Sequence, residues 1–555
     1  VLAATSHLPH VLAFGLVDSL AKRSENLEIF RYAAGGFRDF TRIAGSDPLM
    51  WHDICLANRE AVLSVLDDFR DDLDALRNAV DTQDGHHLLG VFTRARVARE
   101  HFSKILARRA YVDAMHDNND LIFLAQPGGR LSGRIRVPGD KSISHRSIML
   151  GSLAEGTTEV EGFLEGEDAL ATLQAFRDMG VVIEGPQHGR VTIHGVGLHG
   201  LQPPPGPLYL GNSGTSMRLL SGLLAAQTFD TTLTGDASLS KRPMNRVAKP
   251  LREMGAVIET AAEGRPPMVI RGGQQLRGMS YEMPMASAQV KSCLLLAGLY
   301  AAGQTSVTEP APTRDHTERM LRGFGYPVAV DGNVATVESG HKLSATHIEV
   351  PADISSAAFF LVAGSIAEGS ELLLEHVGIN PTRTGVIDIL KLMGGDLTLE
   401  NQREVGGEPV ADIRVRSAKL KGIEIPQELV PLAIDEFPVL FVAAACAEGR
   451  TILRGAEELR VKESDRIQVM ADGLVALGVK AEPTPDGIII DGGPIGGGEV
   501  NSHGDHRIAM SFSVASLRAS GAIRIHDCAN VATSFPNFLG LAAQVGIRVS
   551  EEGKA

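Results

Sequence analysis

Beyond about residue 120 the chain follows one plan six times over, which restricts it to copies of a single folding unit packed on one another. Each copy opens on a polar cluster and runs into an Ala/Leu/Ser-rich helix. It then turns on small residues, continues as a β-rich strand, and closes on a second helix ending in an apolar residue and glycine. The openings are "GDKSISHRSIMLGSLAEG", "GNSGTSMRLLSGLLAAQ", "SAQVKSCLLLAGLYAAG", "ADISSAAFFLVAGSIAEG", "IDEFPVLFVAAACAEG" and "GDHRIAMSFSVASLRASG". The closings are Met179-Gly180, Met254-Gly255, Phe324-Gly325, Met393-Gly394, Leu477-Gly478 and Val545-Gly546. A spacing of roughly 70–80 residues exceeds solenoid periods. The first helix of each copy is rather apolar, so it is expected to be buried among its fellows. At 555 residues the chain is too long for one core, and six α/β modules predict two domains of three.

The stretch "VPGDKSISHRSIML", residues 137–150, places Lys141, Ser142 and Arg146 at a helix start in a chain of formal net charge -14. A helix N-terminus already offers free N–H groups and about half a positive charge, so added cations there suit an anionic ligand. Six such termini converging on one cleft predict an electropositive pocket inside an acidic protein. Alone, the motif reads equally well as a capped surface helix; three more basic clusters in the same array favour the pocket. The acidic balance argues against a dedicated nucleic-acid binder. No apolar run reaches the ~18 residues of a membrane span.

The other clusters are "SLSKRPMNRV" with Lys241 and Arg242, "ELRVKESDRI" with Arg460, Lys462, Glu463, Asp465 and Arg466, "HGDHRIAM" with His503, His506 and Arg507, and "PTRDHTERM" with Arg314, His316 and Glu318. The proline after Arg242 holds it extended, where its planar fork suits a phosphate or carboxylate. The charge alternation around Glu463 also fits a solvated helix face. No histidine is paired with a carboxylate in a zinc pattern, so no metal is expected. Cys55, Cys293, Cys446 and Cys528 lie far apart without metal spacing, which fits free thiols in a reducing cytosol. Two acids stand out. Asp435, in "PLAIDEFPVL", reads either as a helix cap or as a general base beside a cationic cleft. Glu463, between Lys462 and Arg466, is suited to exchanging protons with a substrate.

In order along the chain, "PGDKSISHRS", "LGNSGTSMR", "KRPM", "SAQVKS", "IDEFPV", "LRVKESDR" and "DHRIAM" resemble the motifs of the 5-enolpyruvylshikimate-3-phosphate (EPSP) synthase family over about residues 120–555. The resemblance implies an α/β fold, a two-domain inside-out α/β barrel of six repeated units. In it 122–138 belongs with 349–555, and 139–348 forms the other domain. It implies transfer of the carboxyvinyl group of phosphoenolpyruvate to the 5-hydroxyl of shikimate 3-phosphate, with release of phosphate and no metal or organic cofactor. By the same resemblance, Lys141, Ser142, Arg146, Ser287, Ala288, Gln289, Arg314, Asp435 and Lys462 bind shikimate 3-phosphate. Lys141, Gly214, Arg242, Gln289, Arg466 and Arg507 bind phosphoenolpyruvate. Asp435 takes the proton of the 5-hydroxyl, and Glu463 with Lys141 shuttles protons at the methylene carbon and leaving phosphate. A cytoplasmic location is expected.

Two departures from the family pattern stand in the chain. Thr533, in "VATSFPNF", occupies a position where many relatives carry a lysine that touches phosphoenolpyruvate. "GDKS", "SAQVK", "RDHTE" and "NPTR" (Asn380 to Arg383) resemble a subclass associated with tolerance of the inhibitor glyphosate, yet Gly214 stands where tolerant members commonly have alanine. The bare glycine leads to the expectation of more sensitivity than the motifs suggest. The sister enzyme that uses UDP-N-acetylglucosamine often carries a loop cysteine, and "DASLSKRPM" has none. An inert dimerising scaffold is the rival from another class; the intact set Lys141, Asp435, Glu463, Arg466 and Arg507 speaks against it.

Residues 1 to about 108 are helix-periodic, with a boundary near 118 and an all-α domain expected over 1–118. Asp47 and Pro48 are read as the N-cap and first residue of a long helix carrying an apolar stripe of Trp51, Ile54, Val62, Leu66, Phe69, Leu73 and Leu76. A stripe that long asks for a partner helix. "SHLPHVLAFGLVD" and "GGFRDFTRIAGSDPLMW" resemble the C-terminal dimerisation domain of prephenate dehydrogenase, with His7, His10 and Arg42 at positions that face substrate in that family. No strand–GxGxxG–helix precedes them, so the expectation is a fragment of a fusion whose dehydrogenase part is inactive here. A homodimer through this domain is also expected.

Overall fold

The computed structural model describes residues 3–23, 37, 40–85, 87–92, 95 and 121–552. The chain divides into two compact units, Val1–Phe92 and Thr93–Ala555; the boundary expected near 118 lies outside the described residues. The described part of the first unit is helical, with α-helices Leu8–Ala21, Pro48–Ala57 and Arg59–Asp81. Asp47 caps as expected, its carboxylate accepting from the backbone N–H of Leu49 at 2.8 Å and of Met50 at 3.1 Å. The single long helix expected after Pro48 is two. Asn58 leaves helical geometry and turns its amide back onto the Ile54 carbonyl at 2.9 Å, the local competition that makes asparagine a poor helix residue.

In the second unit the repeats follow β-α-β-α-β-β, richer than the sequence plan by a leading strand and a closing hairpin. Repeat 2 shows it fully. Strands Leu208–Tyr209, Thr231–Thr234, Arg265–Arg271 and Val257–Ala261 lie side by side in that order, the first pair parallel and the others antiparallel. Helices Gly214–Leu224 and Asn245–Glu253 connect them. Repeat 5 keeps only isolated bridges in place of its first strand, Lys421 with Glu448 and Glu424 with Ile452. The glycine closing each repeat has a mechanical reason. All six are left-handed, with φ of 89° at Gly180, 104° at Gly255, 79° at Gly325, 92° at Gly394, 86° at Gly478 and 107° at Gly546. A helix that must turn sharply into a strand stops on this conformation, which only glycine adopts without strain.

The first helices form the centres of two hydrophobic cores. One gathers residues between Ile143 and Val350; the other gathers Phe123 to Val137 and then Ala352 to Ile547. Ile354–Ile366 is buried along its entire length, as a helix apolar all round must be. The chain passes between the cores at 138–142 and 350–352. There the two crossings pair, with the Asp140 N–H donating to the Pro351 carbonyl at 2.8 Å and the Asp353 N–H to the Pro138 carbonyl at 2.9 Å. The strands beside these crossings are exchanged. Ser132–Ile135 precedes repeat 1 but pairs with Glu371–Gly378 of repeat 4, and His347–Glu349 precedes repeat 4 but pairs with Glu155–Glu161 of repeat 1. Ile122–Ala125 completes the sheet of repeat 6, between Ile523–His526 and Val549–Glu552.

Candidate active site

The six first helices bring their N-termini to one cleft of about 1050 Å³, lined by Ser142, Gly214, Gln289, Ser355, Asp435 and Arg507 among others. Five of the six are capped by a side chain that accepts from a first-turn N–H. The acceptors are Asp140 for Ile143, Ser213 for Ser216, Ser287 for Val290, Asp353 for Ser355 and Asp505 for Arg507. The fifth helix, Phe437–Cys446, has Glu436 at its cap position without a side-chain cap bond. Asp435 therefore does not cap it, and the helix-cap reading of this residue falls away.

Cations crowd the cleft wall, and in this structure carboxylates of the same wall hold many of them. Lys141 pairs with Asp168, and Arg314 with Asp435. Arg246 reaches Glu458 at 2.9 Å, Arg242 lies 3.7 Å from Glu463, and Lys462 lies 3.5 Å from Asp435. Arg507 lines the cleft and has no ion pair among the described residues. Burial alone would raise the Asp435 carboxyl, but Lys462, Arg314, Arg507 and Arg466 outweigh it and hold it well below the usual range. Burial likewise works against Glu463, and Arg466, Arg242, His506 and Lys141 overcome it in the same direction. Asp168 goes the other way: burial raises it more than Lys141 lowers it. Burial, with Arg507 and Lys141 close by, holds His506 well below its ordinary value.

The residues named from sequence divide in two. Lys141, Ser142, Gly214, Arg242, Ser287, Ala288, Gln289, Arg314, Asp435, Lys462, Glu463 and Arg507 all line the cleft. Arg242 has the extended backbone its proline imposes, φ −80° and ψ 140°. Arg146 and Arg466 lie behind the wall. Arg146 is buried one turn into its helix, its Nε donating to Thr317 at 2.7 Å and one Nη to Ser292 at 2.9 Å; burial pushes its guanidinium down to about 10. Arg466 is 1% exposed and spans Asp505 at 2.8 Å, Glu463 at 2.6 Å and Asp435 at 3.3 Å. Thr533 is buried away from the cleft, its hydroxyl donating to the Asn530 carbonyl at 2.7 Å. Among the described residues no cluster of histidine, cysteine and carboxylate side chains could hold a metal.

Sequence reasoning missed Asp168, Arg218, Arg246 and Arg383, which also line the cleft. Arg218 carried a signal, since it stands one helical turn after Gly214 in a motif already singled out. It bonds the Gln289 side-chain carbonyl, while the Gln289 amide donates to Thr215 at 2.9 Å. Its Nη1 lies 3.0 Å from where a Cβ on Gly214 would sit, and Arg242 Nη1 lies 3.2 Å away. Two guanidinium tips thus meet over a helix N-terminus, an arrangement built for a small anion. In the first unit, His10 stacks on Trp51 with ring centroids 3.7 Å apart, and His7 meets the same ring edge-on at 6.1 Å.

Comparison with known proteins gives the same picture over the same residues. The pattern of EPSP synthase (3-phosphoshikimate 1-carboxyvinyltransferase) matches residues 125–541, and that of the prephenate dehydrogenase dimerization domain matches residues 1–94. A 3-phosphoshikimate 1-carboxyvinyltransferase of Methylococcus capsulatus is 70% identical over 435 residues, which is 78% of this chain and 99% of the relative. One from Alkalilimnicola ehrlichii is 69% identical over 78% of this chain and 98% of its own length. The EPSP synthase structure from Acinetobacter baumannii superposes with a TM-score of 0.70 at 65% identity, covering 78% of this chain and all of that one. The enolpyruvyl transferase NikO from Streptomyces tendae, at 17% identity and a TM-score of 0.63, shares the fold. The inside-out α/β architecture, the cationic cleft and these matches coincide over the six repeats, and the chain belongs to the EPSP synthase family.

Proposed function

We infer that this chain transfers the carboxyvinyl group of phosphoenolpyruvate to the 5-hydroxyl of shikimate 3-phosphate by addition and then elimination of phosphate. The observation that carries the reading is the convergence of six helix N-termini and eight lysine and arginine side chains on one cleft large enough for two small polyanions. Ser142, Ser287, Gln289 and Arg314 hold the phosphorylated acceptor. Gly214, Arg242 and Arg507 grip phosphoenolpyruvate beside Lys141, and Arg218 joins them. Arg466 and Arg146 act from behind the wall by fixing Glu463, Asp435 and Ser142.

The depressed Asp435 carboxylate is a weak base while four cations surround it. Arriving phosphate and carboxylate groups compete for Arg314 and Arg507, and each cation they neutralise returns basicity to Asp435 where the 5-hydroxyl proton must go. Glu463 and Lys141 then exchange protons with the methylene carbon and the departing phosphate. The same cage stabilises the charge that builds on that phosphate. A phosphate-release assay offering shikimate 3-phosphate and UDP-N-acetylglucosamine side by side tests the reading. Release with only the second acceptor sinks it.

Gly214→Ala probes the anion grip. Its φ is not left-handed, so the added methyl costs no backbone strain, but it presses on two arginine tips at 3.0 and 3.2 Å. Glyphosate, longer than phosphoenolpyruvate, feels that shift first. Its inhibition is expected to weaken by about 1–3 kcal/mol, the scale of overpacking by one methylene, with a smaller rise in KM for phosphoenolpyruvate. An equal loss for substrate and inhibitor contradicts this account.

The first unit serves assembly as a homodimer. On Arg59–Asp81, Leu66, Phe69 and Leu76 are only half-buried and Leu73 is 47% exposed, a stripe left for a partner helix. Removal of residues 1–118 is expected to leave transferase activity in place and to turn the dimer seen by light scattering into a monomer of the shortened chain. A shortened chain that still has twice its monomer mass rules out this dimerisation route.

A further inference from the structure

The "NPTR" and "RDHTE" motifs have residues that the reaction as described does not use, and they meet in one buried network that crosses between the two cores. Arg383 Nη1 donates to Asp140 at 2.8 Å and faces His316 Nε2 at 3.3 Å. Its Nη2 donates to Asp353 at 3.1 Å and to the Ser355 hydroxyl at 2.7 Å. His316 Nδ1 lies 2.8 Å from Glu408, whose other oxygen accepts from Asn380 at 3.0 Å. None of these seven residues is more than 6% exposed. Asp140 and His316 stand on the chain of one core, and Asp353, Ser355, Asn380, Arg383 and Glu408 on that of the other.

We propose that Arg383 is a positioning residue for the transfer, holding Lys141 and Asp435 in register by tying together the two crossings of the chain. Asp140 caps the helix that Lys141 begins, and Asp353 accepts from the Lys141 backbone N–H at 3.1 Å. On the other side the Ser355 hydroxyl bonds Glu436, the neighbour of Asp435. Arg383 is thus two contacts from the backbone of Lys141 and two contacts from the residue beside the base, and only a planar two-pronged cation spans both. Lysine keeps the charge but reaches one crossing at a time. Of the residues that hold substrate, Ser287, Gln289 and Arg242 touch neither Arg383 nor its partners and Lys141 meets them only through its backbone N–H, so most of the substrate grip is spared while the reacting groups lose alignment.

The inference rests on the transferase reading and is tested on the full chain. Arg383→Lys is expected to lower kcat at least tenfold while KM for each substrate moves less than threefold. Asp140→Asn, which retains the cap acceptor but not the charge facing Arg383, should show the same split with folding intact. The inference is overturned if kcat stays within twofold in whichever variant folds, or if KM rises in step with the loss of kcat. Failure of both variants to fold overturns it too, since it marks a purely structural role. An unmodified protein that releases no phosphate removes the transferase reading and this inference with it.

Discussion

Asp435→Asn is expected to lower turnover by about a hundredfold or more, the range of a lost general base, while both substrates still bind. The side chain keeps its volume, so the cleft keeps its shape. What disappears is the one carboxylate shared by Arg314, Lys462 and Arg466. Those cations are then freer for phosphate and carboxylate groups, so KM should hold or fall. Steady-state phosphate release at saturating and limiting substrate separates the two effects. The unmodified protein offers a second check by pH. With the free carboxyl held well below its ordinary value, Asp435 is charged above that depressed point and loses its charge only as pH falls through it. Its acid limb in kcat/KM, which reports the free enzyme, should therefore lie at lower pH than its limb in kcat, which reports the anion-filled cleft. Near-normal turnover in the asparagine variant reduces Asp435 to a counter-ion.

Arg466→Met is expected to destabilise the protein by about 3–5 kcal/mol, the penalty for removing one partner of a buried ion pair. Methionine matches the stem of arginine but leaves Asp505, Glu463 and Asp435 facing one another. Asp505 is fully buried and caps the helix His506–Ala515, so its charge has no route to water. The loss should shrink at low pH, because protonating Glu463 and Asp435 relieves the repulsion in the cluster. Chemical denaturation at neutral and acidic pH measures both effects. A loss below about 1 kcal/mol, the worth of a surface pair, contradicts the clustered geometry. Activity should fall as well, since the group that holds Glu463 and Asp435 is gone.

Much of this protein was legible before folding because the information is local. The helix openings with their polar clusters and the closing glycines each depend on a few adjacent residues. Repetition made them readable six times. Part of the cleft's lining followed from the same source: basic clusters at the repeats' helix starts pointed to Lys141 and Arg507, while Gly214 and Gln289 came to the site only through the family resemblance. Which strand joins which sheet could not be read from the residues themselves; only the resemblance implied that 122–138 belongs with 349–555. Ser132–Ile135, His347–Glu349 and Ile122–Ala125 are short segments whose partners lie hundreds of residues away, and nothing in so few side chains names a partner. Depth was equally hidden. Arg146 and Arg466 carry the same motif signals as Arg242, yet they sit behind the wall. Whether a guanidinium meets solvent, substrate or a buried carboxylate depends on the helices packed around it, and Arg383 gains its place between the two crossings only when both cores have formed.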